Sequence, residues 1–98
     1  MNEKLKSPLN DYLFKAILSL RTVEECYDFF EDLCTISEIQ EMSKRLNVAQ
    51  MLMKNVVYTD IVEQSGLSTA TISRVNRCLK YGTDGYSTII KRIENDEK

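Results

Sequence analysis

Histidine is absent from this 98-residue chain. That removes the commonest general base and the commonest metal ligand together. Cysteine is scarce. Cys26, Cys34 and Cys78 are odd in number, and no two stand in Cys-x-x-Cys spacing. Neither a disulfide framework nor a metal site is expected from them. Reduced, half-buried thiols suit a cytosolic protein. No apolar run approaches the roughly 18–20 residues of a membrane span. Residues Met1 to Leu9 carry Lys4 and Lys6 but no apolar stretch of signal-peptide length. The expected location is therefore the cytoplasm, with no membrane partner. No phosphate loop is present either, so the chain is not expected to be an enzyme and no catalytic residue is assigned.

The length suits one domain over residues 1–98. A chain this short buries only about 60–65% of the surface its unfolded form exposes. A second copy would supply further apolar burial, so a homodimer is expected. The net charge of −2 argues mildly against nucleic acid, but it is an average over two opposed segments. Thr22 to Glu41 holds seven acids and no base. Ser68 to Arg92 holds five bases (Arg74, Arg77, Lys80, Lys91, Arg92) against one acid, Asp84. Local field governs encounter with DNA more than total charge does. On charge alone, two differently solvated faces would explain the pattern equally well.

Periodicity predicts about six helices and no strand. Leu9, Tyr12, Leu13, Ala16, Ile17 and Leu20 form one apolar stripe, with Pro8 just before it. Thr22-Val23-Glu24-Glu25 reads as a capping box that opens a second helix. Val23, Cys26, Tyr27, Phe30, Leu33 and Cys34 line one face of that helix, and acids fill the other. Ser37-Glu38-Ile39-Gln40 reads as another box, opening a helix that runs to about Lys54. That helix is apolar around much of its circumference, which calls for burial on more than one side. Shorter helices are expected over Thr59 to Gln64 and Ser68 to Lys80, with Thr59 and Ser68 as N-caps. Gly82-Thr83-Asp84-Gly85 then breaks the chain. Tyr86, Ile89, Ile90 and Ile93 mark a last amphipathic helix over about 85–95.

The segment from Thr59 to Leu79 carries the chemistry. Ile61 and Val62 face inward. Gly66 supplies a positive φ and a tight turn. Leu67 plugs the angle between two helices, and Ser68 caps the second. Ile72, Val75 and Leu79 anchor that second helix. Thr69, Ala70, Thr71, Ser73, Arg74 and Arg77 are left largely outward. Small and hydroxyl-bearing side chains at a helix start let the backbone approach a major groove. Arg74, Arg77 and Lys80 supply contacts to phosphate or to one guanine. This is a helix-turn-helix over about 59–80, and double-stranded DNA is the expected partner. One position departs from the pattern: Ser65 stands where such motifs usually place an apolar residue. A helical hairpin used only for packing is the plainer alternative.

Ala70-Thr71-Ile72-Ser73-Arg74, with Asn76 and Leu79-Lys80, resembles the recognition helix of the tryptophan repressor. Leu33 to Thr35 and the helix bearing Arg45 resemble that family's ligand and dimer region. The likeness spans roughly Leu9 to Ile93, and it is closest to the repressor-like branch of Gram-positive bacteria. It implies an all-α, intertwined homodimer. Helices over about 9–54 and 85–95 would dimerise, and two reading helices would meet a pseudo-palindromic operator. It also implies a site for a small-molecule corepressor. Arg45 and Arg74 would sandwich the ligand, and the Thr35 hydroxyl would meet its amino group. Two positions differ from the family. Val75 replaces a glycine that leaves room for an indole, and Cys78 replaces a serine that holds the ligand. A branched side chain added to a filled pocket costs about 1–3 kcal/mol. Tryptophan is therefore not expected as corepressor; a smaller ligand, or none, remains open. Arg45 and Arg74 could equally serve phosphate or surface ion pairs.

The sequence reading is thus a DNA-binding transcriptional regulator, expected to be a repressor. The alternative is a helix-turn-helix module for protein interaction within a replication or transcription complex.

Overall fold

Four of the α-helices among the described residues start at a serine or threonine whose hydroxyl accepts one of the first free N–H groups. The computed structural model describes residues 1–97. After a single 3-10 turn at Glu3–Leu5 come α1 (Pro8–Leu18), α2 (Val23–Leu33), α3 (Ile36–Met53), α4 (Tyr58–Ser65), α5 (Thr69–Tyr81) and α6 (Gly85–Asp96). Among the described residues there is no strand. The chain divides into two compact units, Met1–Ile39 and Gln40 onward, and the division falls within α3.

In the N-terminal unit, Pro8 is the first residue of α1, where its missing N–H costs nothing. Ser7 caps that helix by accepting the Asn10 N–H at 3.0 Å. The box at Thr22 forms as expected on one side: its hydroxyl accepts the Glu25 N–H at 3.0 Å. The Glu25 carboxylate reaches the Arg21 N–H at 2.7 Å, one residue upstream of the cap. The expected box at Ser37 is displaced. Thr35 is the cap, accepting the Glu38 N–H at 3.1 Å, while its own N–H donates to Glu38 Oε1 at 2.9 Å. Thr35 with Glu38 and Ser37 with Gln40 both have the box spacing, and the charged carboxylate of Glu38 is the stronger acceptor for a backbone N–H. Ser37 and Gln40 lie inside the helix.

Neither α1 nor α2 contains a buried residue. Their stripes are split. Leu13, Ala16, Ile17, Leu20, Cys26, Phe29, Phe30 and Cys34 are half-buried. Leu9, Leu18, Val23 and Tyr27 are 84%, 83%, 72% and 72% exposed.

The C-terminal unit has a dry core of Val48, Ala49 and Met51 from α3, Ile61 from α4, Leu67 from the turn, Ile72 and Val75 from α5, and Ile90 from α6. Leu52, Met53, Val56, Val62, Leu79 and Tyr86 pack around it. The helix α5 packs against both α4 and α6. Thr59 is not the cap of α4. The helix starts one residue earlier, at Tyr58, with Val57 in the cap position and no side-chain bond there. Backbone carbonyls supply the first bond, Ile61 N–H to Val57 O at 3.1 Å.

Two glycines are fixed for different reasons. Gly66 lies at φ 70°, in the left-handed region, with open space where a Cβ would stand. Gly82 has an ordinary φ, but a Cβ there would run into the Cys78 carbonyl oxygen.

Candidate nucleic-acid interface and the adjoining cavity

The interface is built by the chain reversal between α4 and α5. Gly66 N–H closes the last turn of α4 on the Val62 carbonyl at 3.1 Å. The left-handed glycine then turns the chain. Leu67, 8% exposed, drops into the core between the helices. Ser68 caps α5, its hydroxyl accepting the Thr71 N–H at 3.1 Å. The unexpected residue is Ser65. It is the buried polar side chain of this core, 7% exposed, and its hydroxyl accepts the Leu67 N–H at 3.1 Å.

With Ile72 and Val75 held in the core, the other face of α5 is outward. Thr59, Ser68, Thr69, Ala70, Ser73, Arg74, Arg77 and Lys80 are all exposed. Thr71 is half-buried, and its hydroxyl lies 3.0 Å from Ser68 Oγ. The outward face thus begins with small side chains and ends with three cations over two turns. Such a surface fits a groove flanked by phosphates.

One flank of α5 borders a cavity of about 200 Å³, lined by Glu41, Arg45, Thr71, Arg74, Val75, Cys78 and Tyr86. Four of the five residues expected at a ligand site, Arg45, Arg74, Val75 and Cys78, meet there. The fifth, Thr35, belongs to the N-terminal unit, where its hydroxyl caps α3. Val75 is 2% exposed, so its methyls are part of the core as well as of the wall. Sequence reasoning missed Glu41 and Tyr86. Glu41 stands one turn before Arg45, a spacing that puts both on one helix face, and this could have flagged it. Tyr86 arrives from α6, which nothing local to the motif signals. A wider hollow of about 630 Å³, lined largely by Leu46, Cys78, Tyr86 and Ile89 with Gly82 and Gly85, opens beside it.

This is a helix-turn-helix of the DNA-binding kind, set in an all-helical chain. The sequence profile of the Trp repressor protein family matches residues 9–94. The chain belongs to that family, whose members are DNA-binding regulators rather than enzymes. It is 52% identical over 95 residues to the uncharacterized protein YerC of Bacillus subtilis, covering 97% of this chain and 91% of that one. A TrpR-like protein from Eubacterium eligens superimposes with a TM-score of 0.91 at 55% identity, over 95% of this chain and 96% of the other. A candidate Trp repressor from Staphylococcus aureus gives 0.90 at 52% identity, over 94% and 92%. No helix among the described residues is long and apolar enough to cross a membrane.

Proposed function

We propose that the protein is a sequence-specific transcriptional repressor that binds a pseudo-palindromic operator as a homodimer in the cytoplasm, without tryptophan as corepressor. The observation that carries this reading is the outward face of α5. Capped by Ser68, it presents Thr69, Ala70, Ser73, Arg74, Arg77 and Lys80 to solvent. Thr71 supports the same end of the helix, and Thr59 flanks it on α4. Short side chains at the start read base edges and thymine methyls. The arginines and Lys80 meet phosphate, or in one case guanine.

The dimer is supported by apolar surface that a lone chain leaves in water. Leu9, Tyr12, Leu18, Val23 and Tyr27 on α1 and α2 are each more than 70% exposed. Burying one large apolar side chain contributes about 1.5–3 kcal/mol. Several such residues, contributed twice, are enough to hold two small chains together. Two reading helices about one DNA turn apart would then match an inverted repeat.

The exclusion of tryptophan rests on Val75 and Cys78. Both line the cavity between Arg45 and Arg74. Its volume of about 200 Å³ is below the roughly 300–1,000 Å³ usual for ligand pockets.

The test is selection of bound sequences from a random duplex pool, with and without tryptophan. An enriched inverted repeat that is the same under both conditions is expected. Enrichment only with tryptophan would overturn the corepressor part. Enrichment of nothing would overturn the DNA reading.

A further inference from the structure

The hydrogen bond from Leu67 N–H to Ser65 Oγ points to a role for a residue that reaches no DNA. We propose that Ser65 is a positioning residue for sequence discrimination: its buried hydroxyl fixes the direction in which α5 leaves the turn. The inference rests on the operator-binding reading above.

Three observations converge on it. First, the reversal contains one residue of high conformational freedom. Gly66 sits at φ 70° with nothing within 4 Å of a would-be Cβ, so packing does not fix its conformation. Second, the next N–H, that of Leu67, lies two residues before α5 begins. At a left-handed helix end that donor commonly turns back to a carbonyl three residues inside the helix. Here the Ser65 hydroxyl takes it instead, at 3.1 Å. Third, the bond is enclosed. Ser65 is 7% and Leu67 8% exposed, so water is a poor substitute on either side. Three bonds then span the turn: Gly66 N–H to Val62 O, Leu67 N–H to Ser65 Oγ, Thr71 N–H to Ser68 Oγ. Removing the Ser65 hydroxyl frees the middle link alone. Leu67 would still fill the core and Ser68 would still cap. The angle of α5 would no longer be held by a directional contact. Contacts to base edges need placement within about 0.5 Å, whereas phosphate contacts by long arginines tolerate more.

That difference separates positioning from mere stability. Discrimination is the ratio of affinities for two duplexes measured on one protein preparation. The folded fraction cancels in that ratio. Loss of stability alone lowers both affinities together and leaves the ratio intact.

The experiment uses the full chain and the duplex enriched by the wild-type protein. Its competitor is the same duplex with one half-site scrambled. Ser65→Ala is the first variant. Ser65→Cys, similar in size and a weak acceptor, is the second should the first fail to fold. The expected result is a fall of at least fivefold in the discrimination ratio, with the salt slope of binding unchanged. The Leu67 amide should exchange with solvent faster than the Gly66 amide beside it. A ratio within twofold of wild type in a folded variant overturns the proposal. A wild-type protein that enriches no duplex overturns the operator reading itself, which is a separate result.

Discussion

Ser65 and Gly66 are neighbours with opposite demands. Gly66 needs its backbone freedom, while Ser65 needs its oxygen. Gly66→Ala meets no clash, because the space is open, but it must hold a left-handed φ. The expected loss is about 1 kcal/mol, read as a lower urea midpoint with unchanged slope. Gly82→Ala meets the Cys78 carbonyl, a backbone atom that cannot step aside. It should cost more than Gly66→Ala, within about 1–3 kcal/mol, by the same denaturation assay. Equal midpoints for the two variants would contradict this ordering. The first glycine was legible in the sequence because a helix-turn-helix requires a positive φ at that step. The second was read only as a break. Its constraint is the close approach of its backbone to the Cys78 carbonyl four residues earlier, at the end of α5, which a glycine after a helix does not by itself announce. Ser65 was legible as an exception and nothing more, since the donor it satisfies is set by the turn.

At the scale of elements, helix starts test how far spacing alone can be read. Thr22 and Ser68 cap as expected, through hydroxyls three residues before the N–H they accept. The start of α3 was read two residues late. Two hydroxyl residues, Thr35 and Ser37, compete there, each three before a Glu or Gln, and the box closes on the carboxylate of Glu38. The start of α4 has no side-chain cap at all, so Thr59 was a reasonable but mistaken choice. The box at α3 carries a pH signature. Glu38 is held below its ordinary carboxylate value, first by the Thr35 backbone N–H and then by the Thr35 hydroxyl. A depressed folded value means that this contribution is complete above the ordinary value. It is lost as pH falls through the lowered one. Acidification through that window should therefore unfold the start of α3 more readily. Glu38→Ala should flatten the dependence of melting temperature on pH there; an unchanged curve would remove the box as its source. Thr35→Ala should cost about 0.5–2 kcal/mol near neutral pH as an ordinary cap loss.

The whole molecule sets an acidic run of sequence against a basic one, and this governs what each meets. If about five phosphates are neutralised, the log-log slope of DNA affinity on salt should be near −4 to −5. Arg77→Ala should reduce that slope by about one if the side chain meets phosphate, or relax one base position if it reads guanine. A full slope together with an unaltered base profile would exclude Arg77 from the interface. Association has its own signature. Leu9 and Leu18 are more than four-fifths exposed in the single chain. A glutamate at a truly exposed position shifts stability by no more than about 0.5 kcal/mol. At a dimer contact it buries a charge. The double variant Leu9→Glu, Leu18→Glu should sediment as a monomer and melt at a lower temperature that no longer depends on concentration. A sedimentation profile identical to wild type would place those residues outside the contact. The six helices and the motif were readable from apolar spacing, because one face of each helix must leave water. The cavity was half-readable. Arg45, Arg74, Val75 and Cys78 came from family resemblance, while Glu41 and Tyr86 depend on how α3 and α6 flank α5.

Tyr86 also gives the molecule an optical consequence. The chain contains five tyrosines and no tryptophan, and Tyr86 lies in the wall of the cavity between the two arginines. Any indole that entered would be the sole indole on the protein and would stand beside a phenol able to pass its excitation to it. Titration with tryptophan should leave the protein's tyrosine emission unquenched once the absorption and emission of free indole are subtracted. Loss of tyrosine emission beyond that correction would signal entry directly, without DNA in the cuvette.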